Sequence, residues 1–98
     1  MKLLTKSIQK KLPKIGDGDG TAYVKFFTPD SNWTWYATEF DGDDLFFGLV
    51  DGFEKEIGYF SLSELESVRG PLGLPIERDK WWEPKKVYTL EPEFKILI

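Results

Sequence analysis

Carboxylates are the only side chains here whose number and spacing suit chemistry, because the sequence has no histidine and no cysteine. That removes the usual general base, the usual metal ligand and every Ser-His or Cys-His pair. It also removes disulfides and thiolate sites. A reaction would have to run on Asp and Glu alone, as in glycoside chemistry. The strongest single candidate is Glu39, which closes NWTWYATE (residues 32–39) behind Trp33 and Trp35. A carboxyl beside indole rings is desolvated and its pKa rises. The plainer expectation for Glu39 is an exposed strand end. Asp41, Asp43 and Asp44 crowd together as a calcium loop would, and so do Asp17 and Asp19. Both sets lack the ligand spacing, and the glycine at position six, that such a loop requires. They read as turns, and no metal or cofactor is expected.

The glycines offer no phosphate cradle either. GDGDG (16–20) is not GxGxxG, precedes a strand rather than a helix, and is acidic where a phosphate would sit. Lys10, Lys11 and Lys14 form a small basic patch, for which a solvated helix face is the plain reading. Trp81 and Trp82 follow Arg78-Asp79-Lys80. Neighbours on an extended segment point opposite ways, so one of these rings is expected to pack and the other to be exposed. An exposed Trp near Arg is typical of an interaction hot spot.

The elements that must position these residues follow from pattern. Thr5 is a candidate N-cap for a helix through Leu12, with Leu4, Ile8 and Leu12 on one stripe and Pro13 as its stop. Strands are expected at 21–28, 33–40, 45–50 and 54–60, separated by turns at 29–32, 41–44 and 51–52. Ser61-Leu-Ser-Glu64 matches a capping box that starts a second short helix running to about Val68. Lys86 to Leu90 reads as a fifth strand, and FKILI (94–98) is apolar enough to pack on the body. The fold class is therefore α+β: an antiparallel meander of four to five strands with a short N-terminal helix and another after strand four. Alternation puts Trp33, Trp35 and Ala37 on one face and Thr34, Tyr36 and Thr38 on the other. Trp33 and Trp35 are expected in the core, across from Phe26 and Phe47. Neither face is purely polar, so both need cover, from the helices and C-terminal segment or from curling toward a barrel.

At 98 residues the chain is one domain, 1–98, with a core just large enough to stand alone. Hydrophobic residues make up 41%, too many for disorder, and aromatics 16%. No apolar run reaches the roughly 18–20 residues that span a bilayer. The N-terminus MKLLTKSIQKKL is too charged for a signal peptide, so a cytoplasmic protein is expected. The sequon Asn32-Trp33-Thr34 then reads as a chance match. The net charge of −4 is uneven. Residues 1–14 hold five lysines and no acid, whereas residues 15–68 hold twelve acids against Lys25 and Lys55. An acidic centre repels phosphates and suits a cationic partner.

Three stretches carry a resemblance: KLLTKxIxKKLP at 2–13, VKFFTPxSNWTWYATE at 24–39, and DLFFGLVDGFEKEIGYFSLSELESVRGPLGLPIERD at 44–79. Together they resemble the domain-of-unknown-function family numbered 2958, small proteins of bacterial plasmids, integrative elements and phages. The resemblance implies no catalytic residues. It implies mobile DNA as the genetic company, where small acidic proteins often counter host defences.

The expectation is therefore a non-enzymatic acidic interaction protein that binds a host or element-encoded protein with a basic surface, as an anti-CRISPR or anti-restriction inhibitor in its most specific form. Asp41, Asp43, Asp44 and Glu54 would supply charge, and Tyr36, Arg78, Trp81 and Trp82 the anchors. The alternative is a nucleic-acid accessory module built on the lysine-rich N-terminal helix and Trp81-Trp82. A small carboxylate enzyme is the third. Open strand edges allow a homodimer as well as a monomer. No membrane partner is expected.

Overall fold

A computed structural model describes residues 2–94. Helix α1 (Lys6–Gln9) is followed by strands β1 (Thr21–Ala22), β2 (Val24–Phe27), β3 (Thr34–Phe40), β4 (Leu45–Asp51) and β5 (Lys55–Ser61). Helix α2 (Leu62–Ser67), strands β6 (Glu77–Arg78) and β7 (Lys85–Lys86), helix α3 (Val87–Leu90) and a 3-10 turn (Pro92–Phe94) complete it. The main sheet is antiparallel with strand order β5-β4-β3-β2-β6. It is open, so the barrel alternative is corrected. The fifth strand is also corrected: it is β6, paired to β2, and not Lys86 to Leu90. Val87–Leu90 is helical, while Lys85 and Lys86 pair with β1 in a separate two-stranded ribbon.

Sequence periodicity places the core. Val24 and Phe26, Trp35 and Ala37, and Phe46 and Phe60 line one face, where Leu3, Leu4 and Leu12 of the N-terminal segment and Leu65 of α2 cover them. The rings of Phe26, Phe40 and Phe60 surround Phe46 at 5.5, 4.6 and 5.4 Å. The opposite face has its own cluster of Ala22, Leu49 and Val87, flanked by Tyr36, Ile57, Trp82 and Phe94. Both faces are thus covered by the helices and the C-terminal segment. Of FKILI, Phe94 packs on this second cluster. Residues 95–98 lie outside the described residues.

Strict alternation fails at one place, and the failure is structural. The register shifts between Ala37 and Glu39, leaving Thr38 as the extra residue of a β-bulge. Phe40 is thereby turned onto the same face as Phe46, its partner across the strands. Trp35 does lie across from Phe26, but its partner on β4 is Val50, not Phe47. Phe47 falls on the other face, edge-on to Tyr59.

The caps behave as chemistry requires. Thr5 Oγ1 accepts from the Ile8 N–H at 3.3 Å. The α-helix ends at Gln9, short of the expected Leu12, and turn bonds continue it to that residue. Ser61 Oγ accepts from the Glu64 N–H at 3.1 Å, starting α2 as the capping-box pattern predicts.

Candidate functional site

The feature most suited to binding is a cleft of about 490 Å³ on the main-core face, beside β5. This is the size range of small-molecule and side-chain pockets, roughly 300–1,000 Å³. Its floor is Trp33 and Trp35, stacked with ring centres 5.8 Å apart and planes 30° apart. One residue of β3 separates them, so alternation sets both indoles on one face. Phe53, in the turn between β4 and β5, stands edge-on to Trp33 at 5.2 Å and is 94% exposed. The far wall is Val68, Arg69, Gly70 and Pro71, where the chain leaves α2. Asp30 Oδ2 holds that wall by accepting from the Leu72 N–H at 2.7 Å and the Leu74 N–H at 3.4 Å. Leu72 next to this wall is exposed.

Of two facing glycines, one packs the sheet tightly and the other shapes the cleft. Gly48 and Gly58 are partners across β4 and β5. A Cβ on Gly48 would lie 1.9 Å from the Tyr36 carbonyl oxygen, so close backbone approach demands glycine there. A Cβ on Gly58 would meet nothing within 4 Å. Gly58 is therefore a gap in the strand that opens into the cleft.

The rim is acidic. Glu56 and Glu64 both line the cleft and are exposed. Lys55, the cation on β5, pairs with Glu91 at 2.7 Å, and the hydrogen bond from that ion pair raises the Lys55 pKa. Arg69 also lines the cleft, but its guanidinium donates to the Glu66 and Val68 carbonyls at 3.0 and 2.9 Å, along the end of α2. Beyond the cleft, β5 is the edge of the sheet, and among the described residues no strand pairs with its outer side.

The residues singled out in the sequence fall outside the cleft and form no single site, although Tyr36 meets Trp82, and Arg78 and Trp81 line one hollow. Asp41 Oδ1 accepts from the backbone N–H groups of Asp43, Asp44 and Leu45 at 2.8, 2.9 and 3.0 Å, and these bonds lower its pKa. Asp44 accepts from the Ser63 N–H and hydroxyl at 2.8 and 2.7 Å, tying the β3–β4 turn to α2. Asp43 and Glu54 are exposed, in turns at opposite ends of β4. Arg78 donates to the Lys2 carbonyl and, at 3.1 Å, to the Leu3 carbonyl, anchoring the N-terminal segment. Tyr36 is half-buried with the Trp82 ring 5.4 Å away, and burial raises its pKa. Trp82 packs, its indole N–H donating to the Ala22 carbonyl at 3.0 Å, while Lys85 Nζ lies 4.7 Å over its ring. Trp81 is 90% exposed. The pair thus divides into one packed and one exposed ring.

Glu39 is corrected from an exposed strand end to a buried residue, with Oε1 accepting from the Gly16 N–H at 2.5 Å. It fastens the glycine-rich linker to the sheet. The alternation pattern does not mark the cleft: Trp35 lies in the core as expected, with Trp33 packed against it, and Phe53 stands in a turn without a pattern of its own. The available signal was Gly58, an interior strand glycine, which marks a bulge or a close approach by something else.

A family model described as a protein of unknown function (DUF2958) matches residues 2–90. The chain belongs to this family. No curated protein and no solved structure matches it. No helix among the described residues of this family member is long and apolar enough to cross a membrane.

Proposed function

We propose that this chain is a non-enzymatic protein-binding domain that engages its partner through the aromatic cleft and the exposed apolar side chains beside it. The observation that carries the reading is the pair Phe53 and Leu72, exposed at 94% and 79%, beside a cleft floored by two tryptophans, with Phe53 edge-on to Trp33. Large apolar side chains gathered on a small surface mark interaction sites. Aromatic anchors beside a pocket are the usual source of binding energy. The acidic rim suits a partner with a basic surface. A host-defence protein as that partner, with this chain an anti-CRISPR or anti-restriction inhibitor of a mobile element, is the finer form of the proposal. It rests on the family resemblance alone.

The test is crosslinking and mass spectrometry on cells producing the chain, with affinity capture at rising salt. The double variant Phe53→Ser/Leu72→Ser serves as control, since both side chains are exposed and their loss leaves the fold intact. A protein captured by the wild type and lost by the double variant is the expected result. Retention of nothing at low salt, or equal retention by both forms, overturns the reading.

A further inference from the structure

We infer that β5 accepts an extended segment of a partner protein as a sixth strand, with a large apolar side chain seated over Gly58 and a lysine or arginine set against Glu56. The inference rests on the protein-binding reading above and specifies its occupant. The first ground is the edge itself. β5 has seven residues and pairs only with β4 among the described residues. Edge strands are ordinarily protected by proline, inward charge or a bulge. Here Ile57-Gly-Tyr-Phe-Ser61 has none of these, and the charges of β5, Lys55 and the cleft-facing Glu56, stand together at its start. A free edge of this kind pairs with an extended chain, whose backbone supplies affinity and whose alternate side chains supply specificity.

The second ground is the row structure of the face. Val24, Ala37, Gly48 and Gly58 lie in one row across four strands. Phe26, Trp35, Val50 and Glu56 form the next row. A sixth strand would extend both. Its residue opposite Gly58 would lean into the gap toward Trp35, as aromatic neighbours fill glycines across a strand pair. The same-face residue two positions away would stand opposite Glu56, where opposite charges are favoured. Charge settles which sign that residue carries. Glu56 and Glu64 face the cleft, Lys55 is matched by Glu91, and Arg69 is held on the carbonyls of α2. The occupant is therefore apolar at one position and basic two positions away. A second copy of β5 does carry Lys55 two positions before Ile57, but that lysine is already paired with Glu91.

The experiment uses the full chain and a blocked seven-residue peptide, with phenylalanine at the centre, lysine two positions to either side, and threonine elsewhere. Binding is read by backbone amide shifts in NMR. The expected result is shifts concentrated in residues 55–61 and around Trp33 and Trp35, weakened at least about tenfold when the central phenylalanine becomes alanine. Gly58→Leu fills the gap from within and should abolish these shifts while its melting temperature holds or rises. Glu56→Lys alters an exposed residue and so keeps the fold. It should weaken the lysine peptide and strengthen one with glutamate in its place, each by several-fold. Unchanged binding by Gly58→Leu, or no shifts at millimolar peptide, overturns the inference. So does concentration-dependent self-association that Gly58→Leu abolishes, because it would assign the edge to a second copy. If Gly58→Leu fails to fold, the charge swap alone decides. Cellular capture that survives Gly58→Leu but is lost in Phe53→Ser/Leu72→Ser would sink the strand addition and leave the broader reading standing.

Discussion

Trp35 is the residue whose removal separates scaffold from binding surface most sharply. It lines the cleft, yet only 6% of it is exposed, with Phe26 and Val50 as its cross-strand partners. A tryptophan buries about 150–250 Å². At about 25 cal/mol per Å² that is roughly 4–6 kcal/mol. Residual burial in the denatured chain removes about 10–40% of it. Trp35→Ala should therefore cost about 3–5 kcal/mol, the range seen for aromatic-to-alanine changes in cores. A domain of this size has about 5–15 kcal/mol in total. The melting temperature should fall by more than about 12 °C, at about 4–8 °C per kcal/mol. Trp81→Ala is the matched control: the side chain is 90% exposed, and its loss should stay within about 0.5 kcal/mol. The assay is thermal and urea unfolding followed by circular dichroism and tryptophan fluorescence. If alanine leaves too little folded protein, Trp35→Phe should fall between the two. A Trp35→Ala protein that melts within about 4 °C of wild type would refute the burial argument. If it also lost its partner, Trp35 would be a binding residue and not a structural one.

Three further outcomes follow from the geometry. Gly48→Ala should unfold the sheet or sharply lower the midpoint in a urea titration, because its methyl would sit 1.9 Å from the Tyr36 carbonyl oxygen, whereas Gly58→Ala, with open space, should stay within about 1 kcal/mol of wild type. Glu39→Ala leaves the Gly16 N–H without its acceptor and should cost about 1–3 kcal/mol, with faster hydrogen exchange in the 16–20 linker as the accompanying readout. Asp19 has its pKa lowered from 3.8 to about 2, first by the hydrogen bond with the Thr21 side chain and then by Lys86. Its folded pKa is below the unfolded one, so its contribution is complete above about pH 4 and is lost as pH falls through about 2. Asp19→Asn should therefore melt below wild type at neutral pH, and the two curves should converge near pH 2.

Much of the architecture was legible because it depends on local rules. Period-2 alternation located β4 and β5 within a residue at 45–50 and 54–60, and its single strand at 21–28 covers both β1 and β2. The capping pattern at Ser61 located α2. The assignment of Lys86 to Leu90 failed for a tertiary reason. Its apolar residues suit either a strand or a single helical turn, and what decided was Val87 packing against Ala22 and Leu49. The two-residue β6 has no pattern of its own and exists because β2 offers it an edge.

For function, the sequence by itself determined an inventory: no histidine or cysteine, abundant aromatics, an acidic middle and family membership over residues 2–90. It also determined that Trp33 and Trp35 share a face, since alternation is a property of any strand. Only the tertiary structure decided what that face does. The Thr38 bulge turned Phe40 into the core, Asp41 and Asp44 were engaged by backbone and helix, and Trp82 was covered while Trp81 was not. The cleft joins β3 to β5 and the chain after α2, which follow it by some twenty to thirty-five residues. Its emptiness over Gly58 depends on what fails to reach that spot, and no local pattern encodes the absence of a neighbour.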